Sequence, residues 1–188
     1  MGKSWIKIKK SRYLVIYMCA VSYSMYTLYP HISAIAKVEE KLKVESFIMS
    51  SNIIPMLVTT TFFIYLTHNA RLIKRMRDSI QIRIGEDALN RSLRVQAGVD
   101  TMVYCVVGFG PLIIIGWDGI YEKRLVFIFL GWIAISMFLW CLIINVSIFF
   151  KGIVSGIVIA IPIVMSLMLH YSNINVKVVE FLSGIRLT

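Results

Sequence analysis

The stretch LVFIFLGWIAISMFLWCLIINVSIFF at residues 125–150, a single Lys151, and then GIVSGIVIAIPIVMSLMLHY at residues 152–171 decide what kind of fold this chain adopts. A membrane-crossing helix needs about 20 consecutive, predominantly apolar residues, and each run supplies that length without an acidic or basic side chain. The rest of the chain agrees, with 58% hydrophobic residues, 16% charged residues and a mean hydropathy of +0.77 over 188 residues. Soluble domains carry about 25% charged residues, so this chain holds more apolar surface than one soluble core of its size hides. The bilayer is the expected solvent, and the expected fold class is all-α, a polytopic transmembrane helix bundle.

Working outward from these two runs, three further apolar stretches bounded by charge are expected to span: Tyr13 to Ala36, Phe47 to His68, and Val95 to Trp117. Lys151 alone separates the last two runs. Five spans are expected, with four as the alternative if residues 125–171 form one long tilted helix and a re-entrant piece. The domain plan is a basic tail at 1–12, a bundle at 13–171 interrupted by a basic amphipathic loop at 69–94, and a C-terminal tail at 172–188.

Lysine and arginine orient such a bundle, because they collect on the cytoplasmic side. The N-terminal tail holds Lys3, Lys7, Lys9, Lys10 and Arg12, and the second loop holds Arg71, Lys74, Arg75, Arg77, Arg83, Arg91 and Arg94. Both are expected inside, which places the N-terminus in the cytoplasm and, with five spans, the tail after Ser172 outside. The same reasoning removes nucleic acid as the explanation of the net charge of +10, since lipid headgroups account for it. The first apolar run is longer than the 7 to 15 residues of a secretory h-region, so despite Ala34-Ile35-Ala36 it reads as an uncleaved anchor. Within the second loop, Leu72, Ile73, Met76, Ile80 and Ile84 fall at helical spacing, so the second helix is expected to continue past the membrane until Gly85 interrupts it. Arg71, Lys74, Arg75 and Arg77 then form a basic surface, either solvated among headgroups or a dock for a partner.

Several residues bear on mechanism. Pro30, Pro55, Pro111 and Pro162 lie in or beside apolar spans, where each frees a backbone carbonyl and allows a kink. Gly108 and Gly110 beside Pro111 mark a hinge, or a wall where backbone comes close. Asp100 is expected near the interface, in the first turns of its helix, where the helix dipole and headgroups stabilise it, the alternative being a buried gating or coordination role. Tyr23, Tyr26 and Tyr29 progress around a broad face of the first span, and Thr59 sits in the second; together they suit a small apolar ligand, the alternative being interface belts and packing. Gly152, Gly156 and Ala160 form a small-xxx-small stripe expected to pack helices within the fold rather than between copies.

Cys19, Cys105 and Cys141 lie in apolar runs without metal or disulfide spacing, so they are expected as small buried apolar residues. His31, His68 and His170 have no acid at ligand spacing. The chain carries no phosphate-binding P-loop, no HExxH zinc motif and no GxSxG nucleophile elbow. Neither enzyme chemistry nor a metal or cofactor is expected. The sequons at Asn90 and Asn145 fall in an inside loop and within a span, where they are not used.

One family plan is similar to this order of features. Thr61-Phe62-Phe63-Ile64-Tyr65-Leu66 leading into Arg71-Leu72-Ile73-Lys74-Arg75-Met76 resembles the second span and basic intracellular exit of the insect odorant and gustatory receptor superfamily. Met165-Ser166-Leu167-Met168-Leu169-His170, followed by Val178-Val179-Glu180-Phe181-Leu182, resembles a fourth span entering the next cytoplasmic segment. The resemblance covers the family's N-terminal half only. It implies a chemosensory receptor of the plasma membrane, acting in olfaction or taste, that binds a small hydrophobic ligand among the outer halves of the helices and works with other receptor subunits. Members have seven spans and a pore built by the last one, which has no counterpart here, so the resemblance implies a shortened or partial member that does not conduct alone. An extra crossing at 152–171 also departs from the family plan. The alternatives are a small transporter or membrane scaffold protein, and a G-protein-coupled receptor fragment, although no D-R-Y or N-P-x-x-Y sequence is present.

Overall fold

The computed structural model describes residues 12–36, 54–117, 120, 122–172 and 174–184. The basic N-terminal tail, the first loop and the beginning of the second expected span lie outside these residues. Every described element is helical: α1 (Arg12–Ala36), a π-helical turn (Ile54–Thr59) running directly into α2 (Thr60–Ile84), α3 (Glu86–Gly116), α4 (Lys123–Val146), a 3-10 turn (Ser147–Phe149), α5 (Gly152–Tyr171) and α6 (Ile174–Ser183). The fold is all-α, as the composition required. Lys123–Phe149 and Gly152–Leu169 are long and apolar enough to cross a membrane.

The long apolar stretch breaks where the lone lysine stands. Phe150 turns into extended backbone, and Gly152 at φ +55° starts α5 in the left-handed region that glycine occupies without steric cost. The two arms then run antiparallel. Ser155 near the start of α5 donates to the carbonyl of Ser147 at 3.1 Å, while Ser136 and Trp140 on α4 face Ser166 and Leu169 on α5. One long helix with a re-entrant piece is therefore not what residues 125–171 form.

The second helix continues to Ile84, as its spacing suggested, although Ile80, Ile82 and Ile84 alternate like a strand. Gly85 ends it at φ 82° and ψ 163°, and its N–H closes the last turn on the Gln81 carbonyl at 2.9 Å. That backbone region is open essentially to glycine alone. After this one residue α3 begins, 31 residues long or about 46 Å at 1.5 Å per residue, which exceeds a hydrocarbon core of about 30 Å. α2 and α3 thus form a helical hairpin whose Gly85 end projects beyond the rest of the bundle. The apolar stripe on its α2 arm is only partly used: Ile73 and Ile80 pack on the core, while Met76 and Ile84 are exposed.

A row of aromatic rings ties α1 to α4. Tyr17 meets Phe62 at 5.0 Å, Phe62 meets Tyr104 at 5.1 Å, Tyr104 meets Phe109 at 5.8 Å, and Phe109 meets Phe129 at 5.6 Å, all between ring centroids. Tilted and edge-on contacts at these distances suit the ring quadrupoles. Gly108 makes the approach possible, since a Cβ there would lie 3.3 Å from Val58 Cγ1 and 3.6 Å from Tyr17 Oη. Gly108 is accordingly a point of close approach rather than a hinge, whereas Gly110 has open space around it. Pro30, Pro111 and Pro162 sit inside α1, α3 and α5 without ending them, and Pro55 opens the π-helical turn.

The C-terminal tail is not a simple tail. α6 folds back so that Val176 and Val179 are buried, and Asn175 accepts a hydrogen bond from Trp132 Nε1 on α4 at 2.9 Å. The small-residue stripe also departs from expectation: Gly152, Gly156 and Ala160 are exposed, and α5 turns Ser155 and Pro162 inward instead. Among the described residues no helix covers the stripe.

Candidate functional site

The bundle has a largely hydrophobic interior that also holds buried polar residues, among them Ser24, Thr59, Asn69, Asp100, Thr101, Asn145 and Ser155, while large aliphatic residues cover much of its outside. α3 displays this pattern along its length, for Val95, Val99, Met102, Val106 and Ile114 are exposed while Ala97, Asp100, Thr101, Tyr104 and Phe109 are buried. α5 likewise exposes Ile153, Ile157, Ile161, Val164 and Met168, and buries Ser155. Water would reverse this choice of faces; hydrocarbon permits it, provided the buried polar groups find partners within the bundle.

Most do find them. Thr59 Oγ1 and Tyr104 Oη share a 2.6 Å hydrogen bond. Thr59 is the last residue of the π-helical turn. Tyr17 Oη, just across Gly108, is buried without a partner. Nearer the Gly85 end a second polar layer gathers. Asp100, only 3% exposed, accepts from Gln96 Nε2 at 2.9 Å. Thr101 donates to the Ala97 carbonyl at 2.8 Å, and Asn145 Nδ2 donates to the Leu93 carbonyl at 3.1 Å. Asn69 Oδ1 is buried and unpartnered in the same bundle. The expected helix position of Asp100 is corrected by the structure. Asp100 was expected in the first turns of its helix, but α3 starts at Glu86, so the acid lies too far along for the helix terminus to stabilise it. Sequence reasoning missed this because Arg94 suggested a membrane boundary and hence a helix start.

The expected ligand residues are split between two surfaces. Tyr23, Tyr26 and Tyr29 are 59%, 80% and 56% exposed on the outer face of α1, whereas Thr59 is buried against Tyr104. They do not line one interior pocket. Tyr26 and Tyr29, with Met25, Thr27, Pro30 and His31, instead form an open surface on α1. The interior cleft between α4, α5 and α6 measures about 30 Å³, the room of one or two waters. It is lined in part by Tyr104, Trp140, Ser166 and Asn175, none of which spacing alone singled out as a cavity wall.

A third cluster sits on the basic arm of α2. Lys74 Nζ donates to Ser155 Oγ at 2.9 Å, and the Arg77 guanidinium lies over the Phe149 ring at 4.9 Å. Arg71 and Arg75 are exposed. The four basic residues named from the sequence are thus divided: two are anchored on the α4–α5 turn and two face outward. Of the cysteines, Cys141 is buried, Cys105 half-buried and Cys19 exposed, which corrects the expectation of burial for Cys19. Among the described residues no cluster of His, Cys, Asp and Glu has the form of a metal site. No family model, no curated protein and no solved structure matches the chain.

Proposed function

We propose that the chain is an integral membrane protein that crosses the bilayer five times with its N-terminus in the cytoplasm, and that it serves as a chemosensory-type receptor for a small hydrophobic molecule. The single observation that supports the membrane reading most is the arrangement of polar side chains inward and large aliphatic ones outward on α3 and α5. The antiparallel order of α1 to α5 supports alternating crossings, with the Gly85 end and Lys151 inside and the α3–α4 connection outside. For ligand recognition the support is the exposed aromatic surface of α1 around Tyr26, Tyr29 and Pro30. It lies toward the end of α1 opposite the Gly85 end, which is the outer half in this orientation.

The test is a thermal-shift screen of the purified, detergent-solubilised chain against small volatile alcohols, esters and aldehydes. A stabilising compound whose effect disappears in a Tyr26→Ala/Tyr29→Ala variant is the expected outcome. If no compound shifts the midpoint, or the double variant responds unchanged, the receptor assignment is lost while the membrane reading stands. A membrane scaffold is the second reading, favoured by an interior whose cleft between α4, α5 and α6 is too small for an odorant.

A further inference from the structure

We propose that the corner between α2 and the α4–α5 turn is a binding site for the phosphate-bearing headgroup of an anionic phospholipid of the cytoplasmic leaflet. The inference rests on the five-crossing orientation given above, which puts this corner at the inner headgroup level.

Two cations are held there by contacts that leave their charge uncompensated. Lys74 Nζ uses one N–H on Ser155 Oγ at 2.9 Å, and Ser155 passes its own proton to the Ser147 carbonyl at 3.1 Å. An ammonium has three donors, so two remain for a ligand. Arg77 is fixed by its ring contact with Phe149, and its Nε is buried without a hydrogen-bond partner. Among the described residues neither cation forms an ion pair; Asp78, the acid nearest along α2, is exposed and pairs with neither. Arg71, Arg75 and Lys151 stand exposed around the corner and add to its positive field.

Fixing two long side chains with no carboxylate between them is costly in entropy and repulsion unless an anion completes the group. A guanidinium fork and an ammonium point charge are the donors that phosphate oxygens take. The proposed orientation favours a lipid over a free anion, because it puts this corner at the level of the inner-leaflet headgroups.

The experiment uses the full chain reconstituted into nanodiscs of phosphatidylcholine alone or with phosphatidylserine or phosphatidylinositol bisphosphate, and counts co-isolated lipids by native mass spectrometry. Failure to incorporate would remove the membrane reading itself; incorporation without selective retention of anionic lipid would overturn only this inference. Selective retention is expected, and Lys74→Gln/Arg77→Gln should weaken it roughly thirtyfold, at about one kcal/mol per cation near the surface. Arg83→Gln/Arg91→Gln removes the same charge from the tip of the hairpin and should change retention by less than about threefold, because screening limits its reach. Equal losses in the two double variants would reduce the effect to diffuse attraction and overturn a built site. Ser155→Ala leaves every charge in place and should still weaken retention, so the inference remains testable if the double variant does not fold. Loss of the bound lipid on adding millimolar inorganic phosphate, with no dependence on acyl chains, would reassign the site to a free anion.

Discussion

Gly108 is the residue on which the packing of α1, α2 and α3 depends. With Val58 Cγ1 only 3.3 Å from the position of a Cβ, a larger side chain has to displace α2 or the Tyr17 ring. Gly108→Leu is expected to destabilise the bundle by about 1 to 3 kcal/mol, the usual range for overpacking. Gly110→Ala, where nothing lies within 4 Å, is expected to be neutral or to stabilise by up to about 1 kcal/mol through helix propensity. Thermal unfolding in detergent distinguishes them, and a similar loss in both variants would contradict the close-approach role. The Thr59–Tyr104 pair makes a second residue-level prediction. Either Thr59→Val or Tyr104→Phe leaves a buried hydroxyl without its partner, while the double variant removes both, so the cycle should show a coupling of about 0.6 to 1.7 kcal/mol, as for hydrogen bonds between membrane helices. A coupling near zero would mean that each hydroxyl finds another partner. Thr59 was visible in the sequence as a polar residue in an apolar span, but its partner lies 45 positions away and meets it only through tertiary packing. The tyrosines of α1, read either as pocket lining or as interface belts and packing, face outward.

At the scale of elements, the hairpin of α2 and α3 was legible because its signals are local. A helical stripe with basic residues between, followed by a glycine, marks both the continuation and the stop. Gly85→Ala is expected to cost about 1 to 3 kcal/mol, since φ 82° with ψ 163° lies in a region that a Cβ forbids. Hydrogen exchange should then rise in the last turn of α2 and the first turn of α3 while the aromatic core keeps its protection; unchanged exchange around residue 85 would contradict a glycine-dependent stop. The break at Lys151 was legible as a charge but ambiguous as a turn, because one lysine can also snorkel from a continuous helix. What resolved it was Gly152 together with the contacts of Ser155, and these are tertiary. α6 was missed for a similar reason. Val176 and Val179 give it one short apolar face, too brief for a period to be read, and the helix is held by docking on α4 through Trp132 and Asn175.

For the whole molecule, composition alone identified an all-helical chain, and the distribution of faces supplies the physical reason. On α3 and α5 polar residues such as Asp100, Thr101 and Ser155 are drawn inward, and aliphatic residues such as Val99, Val106, Ile153 and Ile157 are left outside. The proposed orientation and number of crossings rest on that arrangement combined with the placement of basic residues. The most direct test introduces single cysteines at Asp87, Glu122, Lys151 and Ser172 in a background with Cys19, Cys105 and Cys141 replaced, and labels intact cells with a membrane-impermeant maleimide. Glu122→Cys and Ser172→Cys should label from outside, while Asp87→Cys and Lys151→Cys should label only after permeabilisation. Protection of Ser172→Cys together with Asp87→Cys would place both on one side, leaving an even number of crossings and contradicting the five-crossing account.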